Sequence, residues 1–212
     1  MANRIVFETK LSKPYFKKVS IDTTFPKGWL YKPELAIKEV NDMYKIKTDA
    51  TEDPFEVSSA ANNELGVKLS AFNLKNKDGK TVECIFQSSK KFEKGGPYLD
   101  LLDVPSNAAK KDKRLRTSGN LVAFVLNGKE YPLIPRTAFY DFIYISALLE
   151  NKDLCENLDS YNAFSDIWFN PEKSSNCQAE AMALYRGLKQ ANKLDKAMAN
   201  FDGFVEEVFI SR

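Results

Sequence analysis

The chain has 212 residues, 43% hydrophobic and 28% charged, with a net charge of +2, an ordinary globular composition long enough for one sizeable core. A charge so near zero assigns no nucleic-acid or membrane partner by itself, and any such partner must be met by a local patch. The sequence contains no histidine, which excludes Ser-His-Asp and Cys-His mechanisms and histidine-bearing zinc sites within the chain.

The N-terminal MANRIVFETK has no apolar signal core, and no run of about 18 apolar residues occurs, so no membrane segment is expected. RIVFE and FKKVSIDTTF then read as strands with partial alternation. The stretch from Lys32 to Lys47 predicts a helix, with Pro33 at its start and Leu35, Ile37, Val40, Met43 and Tyr44 as an apolar arc. LGVKLSAFNL reads as a strand and NKDGK as a turn. VECIFQSSKKFEKGG, from Val82, reads as a helix stopped by Gly95-Gly96-Pro97.

Further along, VAFVLNGKEYPLI predicts a hairpin whose Asn127-Gly128 forms a type I′ turn. Arg136 to Glu150 is apolar nearly all round and predicts a buried central helix. In the last quarter, Ser175 stands three residues before Gln178, a capping-box pattern for a C-terminal helix. No repeat and no linker divides the chain. The expected fold is a single α+β domain, with small antiparallel sheets or hairpins packed on a mostly helical body. Residues 1–65 supply N-terminal strands and a helix that pack on a core of residues 66–212.

Cys84, Cys155 and Cys177 cannot all pair and show no metal-ligand spacing, so reduced thiols in a cytoplasmic protein are expected. Cys177 falls in the first turn of a predicted helix, where the dipole lowers a thiol pKa. Without a histidine to act as base, a small buried residue is the better reading. Glu83, Gln87 and Lys90 lie on one line of the predicted helix, Glu83 and Lys90 about 10.5 Å apart along its axis. Pattern alone makes them the wet side of an amphipathic helix.

Lys110, Lys111, Lys113, Arg114 and Arg116 crowd the segment AAKKDKRLR, which reads either as a solvated helical turn or as a set of phosphate contacts. Asp166, Trp168, Phe169, Asn170 and Asn176 fall in a loop before a helix N-terminus. An aromatic that stacks on a base and amides that bond a ribose suit a nucleotide ligand there. An Asx-turn loop with a tryptophan plugging the core fits the same pattern.

Phe72-Asn73, Asp78-Gly79-Lys80 and the helix with Glu83, Phe86, Gln87 and Lys90 resemble the NADAR (YbiA-like) domains and their Glu-x-x-Phe-Gln-x-x-Lys helix. FQSSKKFEKGGPYLDLL, AAKKDKRL, PLIPRTAFYDFIYISALL and FNPEKSSNCQAEA resemble one branch, the antitoxins found beside DarT-type DNA ADP-ribosyltransferase toxins. The resemblance runs from about residue 66 to about residue 190. The general family has a glycine-rich segment before its last main helix, where this chain has NPEKSSNC.

The resemblance implies a YbiA-like fold and an N-glycoside hydrolase that removes ADP-ribose from guanine bases of DNA. It implies Glu83 and Lys90 as catalytic residues, and Phe72, Asn73, Gln87, Tyr98, Asp166, Trp168, Asn170 and Asn176 as substrate-binding residues. Lys110, Lys111, Lys113, Arg114 and Arg116 would contact DNA, with no metal or cofactor required. Expected partners are ADP-ribosylated DNA, ADP-ribose as product, and a cognate DarT-type toxin. Hydrolysis of a free nucleotide or riboflavin-pathway intermediate remains an alternative, as does a non-catalytic antitoxin that binds its toxin.

Overall fold

A computed structural model describes residues 2–24 and 32–210; Phe25, the end of the second predicted strand, lies outside them. The described elements run β1 (Ala2–Thr9), β2 (Phe16–Thr23), α1 (Pro33–Thr48), β3 (Phe55–Glu56), α2 (Glu64–Leu69), α3 (Val82–Ser88) and β4 (Lys90–Phe92). There follow α4 (Ser106–Lys111), α5 (Arg114–Thr117), β5 (Leu121–Leu126), β6 (Lys129–Tyr131), α6 (Ala138–Leu149) and α7 (Lys152–Cys155). The chain closes with β7 (Ala163–Ser165), α8 (Gln178–Gln190), α9 (Leu194–Met198) and α10 (Phe201–Phe209).

This is an α+β domain. One sheet has the order β2-β1-β7-β3, antiparallel except for the β3–β7 pair, and the other has the antiparallel order β4-β5-β6. The core lies on α6 and α8. Because α6 is apolar nearly all round, it buries Phe139, Tyr144, Ile145 and Leu148 together, while α8 contributes Ala179, Met182, Leu184 and Leu188. At Gly187 a Cβ atom would stand 2.2 Å from the Tyr15 carbonyl oxygen, so only glycine lets the β1–β2 connection close on α8. Among the described residues no helix is long and apolar enough to cross a membrane.

Asn127 and Gly128 take φ of 51° and 76°, the conformation a type I′ turn demands. In α1 the buried positions are Ala36, Ile37, Val40 and Tyr44, whereas Leu35 and Met43 of the predicted arc face outward. LGVKLSAFNL is not a strand. Asn63 caps α2 by accepting from the Gly66 amide at 2.6 Å, and the Asn73 side chain donates to the Val67 carbonyl at 2.9 Å, holding the segment as helix and turn. Ser175 does not cap α8: Cys177 occupies the N-cap position, and its side chain makes no capping bond.

The largest departure concerns the helix that begins at Val82. It ends at Ser88, well before Gly95-Gly96-Pro97, and Lys90 stands on β4. Three partners stop it. The Val125 amide takes the Ser89 carbonyl at 2.7 Å, the Tyr98 amide takes the Ser88 carbonyl at 2.9 Å, and Lys90 pairs with Phe124 across β4–β5. Sheet pairing overrides a local helix pattern here.

Two buried carboxyl groups face each other across the core helices. Asp141 on α6 is 1% exposed and its Oδ1 has no hydrogen-bond partner, while Glu180 on α8 is ion-paired to Lys18 at 2.7 Å. Burial and their mutual repulsion push the Asp141 carboxyl well above its ordinary range, and burial raises that of Glu180. A raised folded-state pKa means the native state binds more protons than the unfolded chain above the ordinary carboxylate pKa. Stability therefore falls as pH rises from about 4, by at most about 1.4 kcal/mol per pH unit for each group. Asp141→Asn is expected to flatten this fall and to raise the unfolding midpoint at pH 8, measured by thermal unfolding between pH 5 and 8. Parallel pH slopes for the two proteins would remove Asp141 from the linkage.

Candidate active site

Every residue of α3 is buried, so the helix has no wet side. Thr81 caps its start by accepting from the Cys84 amide at 3.2 Å. Glu83 and Gln87, 5% and 6% exposed, line a cleft of about 890 Å³, large enough for a nucleotide-sized ligand. Lys90 enters the same cleft from β4. Its Nζ donates to Gln87 Oε1 at 2.7 Å, and Gln87 Nε2 donates to Glu83 Oε1 at 2.8 Å. A carboxylate, an amide and an amine thus form one continuous line.

The surroundings of Lys90 disfavour its charge. Burial lowers its pKa to about 8, the nearby Lys110 ammonium adds to the fall, and Glu83 opposes it. Its Nζ also stands 4.5 Å from the Phe86 ring centre. At pH 7 roughly a tenth of such lysines carry a free amine, against less than a thousandth for an ordinary one.

The opposite wall is the loop between β7 and α8. Glu56, 4% exposed, anchors it by accepting from Ser165 Oγ at 2.5 Å and from the Ile167 amide at 2.8 Å. Arg4 donates to the Phe169 carbonyl at 2.8 Å. Asn170 Oδ1 accepts from the Glu172 amide at 2.9 Å, an Asx-type turn. Asp166 rises to about 7, chiefly by burial and then by the charge of Glu56, opposed by the Trp168 amide and the Gln178 side chain. Burial drives the Cys177 thiol well above 9, so it is not an activated nucleophile.

Of the residues singled out in the sequence, Phe72, Glu83, Gln87, Lys90, Lys110, Asp166, Trp168, Asn170 and Asn176 line this cleft. Four segments distant in sequence converge there. Lys110 Nζ stands 4.9 Å from the Phe72 ring centre. Asn73 and Tyr98 lie elsewhere. The Asn73 amide is spent on Val67 and Ser70, and the Tyr98 hydroxyl on Ser118. Arg114 covers the Tyr98 ring and pairs with Asp100 and Asp112, at 2.6 and 2.9 Å, which neutralises much of its charge. Lys111, Lys113 and Arg116 are exposed away from the cleft lining.

Phe86, Arg136, Tyr140, Lys173 and Gln178 also line the cleft. Phe86 belongs to the quoted helix pattern, but there it reads as core. Tyr140 is hidden among the apolar residues of α6, and Gln178 reads as a capping residue.

An α+β body whose α3 carries Glu83, Phe86 and Gln87, with Lys90 just beyond its end, defines a NADAR-class protein. The chain belongs to the family of DarT1-associated NADAR antitoxins, whose family model matches residues 2–211. That membership gives it an antitoxin role beside a DarT1 toxin. No curated protein matches the chain.

Proposed function

We propose that the protein removes ADP-ribose from guanine bases of DNA and so reverses the modification made by a DarT1-type toxin. The observation that carries this reading is the buried Glu83–Gln87–Lys90 line, a proton-transfer carboxylate joined through an amide to an amine of lowered basicity. The bond to be broken joins the anomeric carbon of ribose to the exocyclic amine of guanine.

In the proposed sequence the ribose ring oxygen takes a proton as its bond to the anomeric carbon opens, leaving an imine to the guanine nitrogen. The Lys90 amine adds to that carbon, and guanine leaves with its amine protonated. Water then hydrolyses the Lys90 imine, freeing the lysine, and the released ADP-ribose recloses its ring. One water enters; unmodified guanine and ADP-ribose leave. Glu83 carries the protons and Gln87 orients both partners.

Phe72 and Trp168 are assigned to stacking, and Asn170 and Asn176 to hydroxyl contacts. Lys110 at the cleft, with exposed Lys111, Lys113 and Arg116, is assigned to phosphates. The neutralised Arg114 lends some support to a second reading, hydrolysis of a small nucleotide N-glycoside, in which DNA gives no advantage over the mononucleotide. In cells expressing a DarT1-type toxin, ADP-ribose detected on genomic DNA should disappear when this protein is co-expressed. Survival with the modification still in place would point to neutralisation of the toxin by contact.

A further inference from the structure

The floor of the cleft holds a hydroxyl that the scheme above leaves unused. Tyr140, on α6, lines the cleft and is 6% exposed, its ring edge-on to Phe86 at 5.2 Å and stacked on Tyr144 at 6.2 Å. The neighbouring Tyr144 hydroxyl donates to the Leu69 carbonyl at 2.7 Å. The Tyr140 hydroxyl makes no such bond to any described residue. That hydroxyl opens onto the cleft, where it is free to meet a ligand atom as donor or acceptor.

Its surroundings narrow the ligand. The charges of Glu83 and Asp166 both bear on Tyr140, and burial with those charges raises its pKa well above 10. The phenol therefore keeps its proton and can only be used as a donor or a neutral acceptor. Asp166 lines the same cleft and supplies a carboxyl group. Phosphates have cations of their own in Lys110 and Lys173, which line the same cleft, and a neutral group adds no charge beside Glu83. A vicinal diol fits better, because each hydroxyl both accepts and donates.

We propose that Tyr140 and Asp166 form a sugar-diol subsite, in which the tyrosine hydroxyl donates to one hydroxyl of the ribose attached to guanine and Asp166 bonds the other. This rests on the function proposed above and names how its sugar is recognised. Tyr140 is here a binding residue, and it holds the ring in place for Glu83 and Lys90.

The test is calorimetric titration of the intact protein and Tyr140→Phe with ADP-ribose and, separately, with ADP, which lacks that ribose. Phenylalanine keeps the ring contacts, and removing an unpartnered hydroxyl should not lower the unfolding midpoint. The affinity for ADP-ribose is expected to fall roughly five- to tenfold, the loss of one neutral hydrogen bond, while that for ADP stays unchanged. Unchanged ADP-ribose affinity, or an equal loss for both ligands, overturns the subsite. Wild-type protein that binds ADP as tightly as ADP-ribose overturns the subsite alone. Wild-type protein that binds neither ligand overturns the proposed function and this subsite with it.

Discussion

Lys90→Arg is expected to abolish turnover of ADP-ribosylated guanine in DNA, with a loss on the order of 10³-fold or more, as for removal of a covalent nucleophile. Arginine keeps the positive charge and can still lie over Phe86, so the change isolates the missing free amine. Guanidinium cannot lose its proton near neutrality and forms no imine. Two further readouts belong to the same claim. Borohydride added during turnover should trap an ADP-ribose adduct on Lys90. Because burial holds the amine near 8, kcat/KM should climb about tenfold per pH unit below that value and then level off. Near wild-type turnover by Lys90→Arg, with no adduct, would reduce Lys90 to a binding residue and leave a direct attack by water.

Glu83→Gln is expected to lower kcat by about 10²–10⁴-fold, the usual contribution of a general acid–base group. The replacement preserves shape, and an oxygen remains to accept from Gln87 Nε2, which now donates to Glu83 at 2.8 Å. Binding of ADP-ribose should therefore survive while chemistry fails, so the loss should fall on kcat and not on KM. In toxin-expressing cells the same variant should lose protection. Full protection by Glu83→Gln would favour an antitoxin that acts by touching its toxin.

Much of the scaffold was legible in the sequence because local chemistry fixes it. Asn127-Gly128 specifies its own turn, and the nearly continuous apolar surface of residues 138–149 leaves a helix no place but the core. The loop from Asp166 to Asn176 was legible as a connection rich in amides. What local pattern misreads is whatever a distant segment decides. Nothing within VECIFQSSKK shows that β5 will take the Ser89 carbonyl and pair with Lys90, so the helix appears two turns longer than it is.

Burial was misread for the same reason. Glu83 and Gln87 look like a wet face because periodicity reports the polarity of a side chain but not what stands opposite it. Here the facing wall is built from residues 166–178, some eighty positions away. Tyr140 was invisible for the converse reason, since a tyrosine in an apolar run reads as packing and only its unpartnered hydroxyl sets it apart. The basic run shows a third limit: its count of charges was plain, but the pairing of Arg114 with Asp100 and Asp112 depends on the fold.

The most direct test of the account uses purified protein and one DNA oligonucleotide carrying ADP-ribose on a guanine, followed by mass spectrometry over time. The account expects the unmodified strand and free ADP-ribose to appear together in equal amounts, with neither formed by Lys90→Arg or Glu83→Gln. A strand that keeps its modification throughout, or loses it equally fast with the two variants, would contradict it.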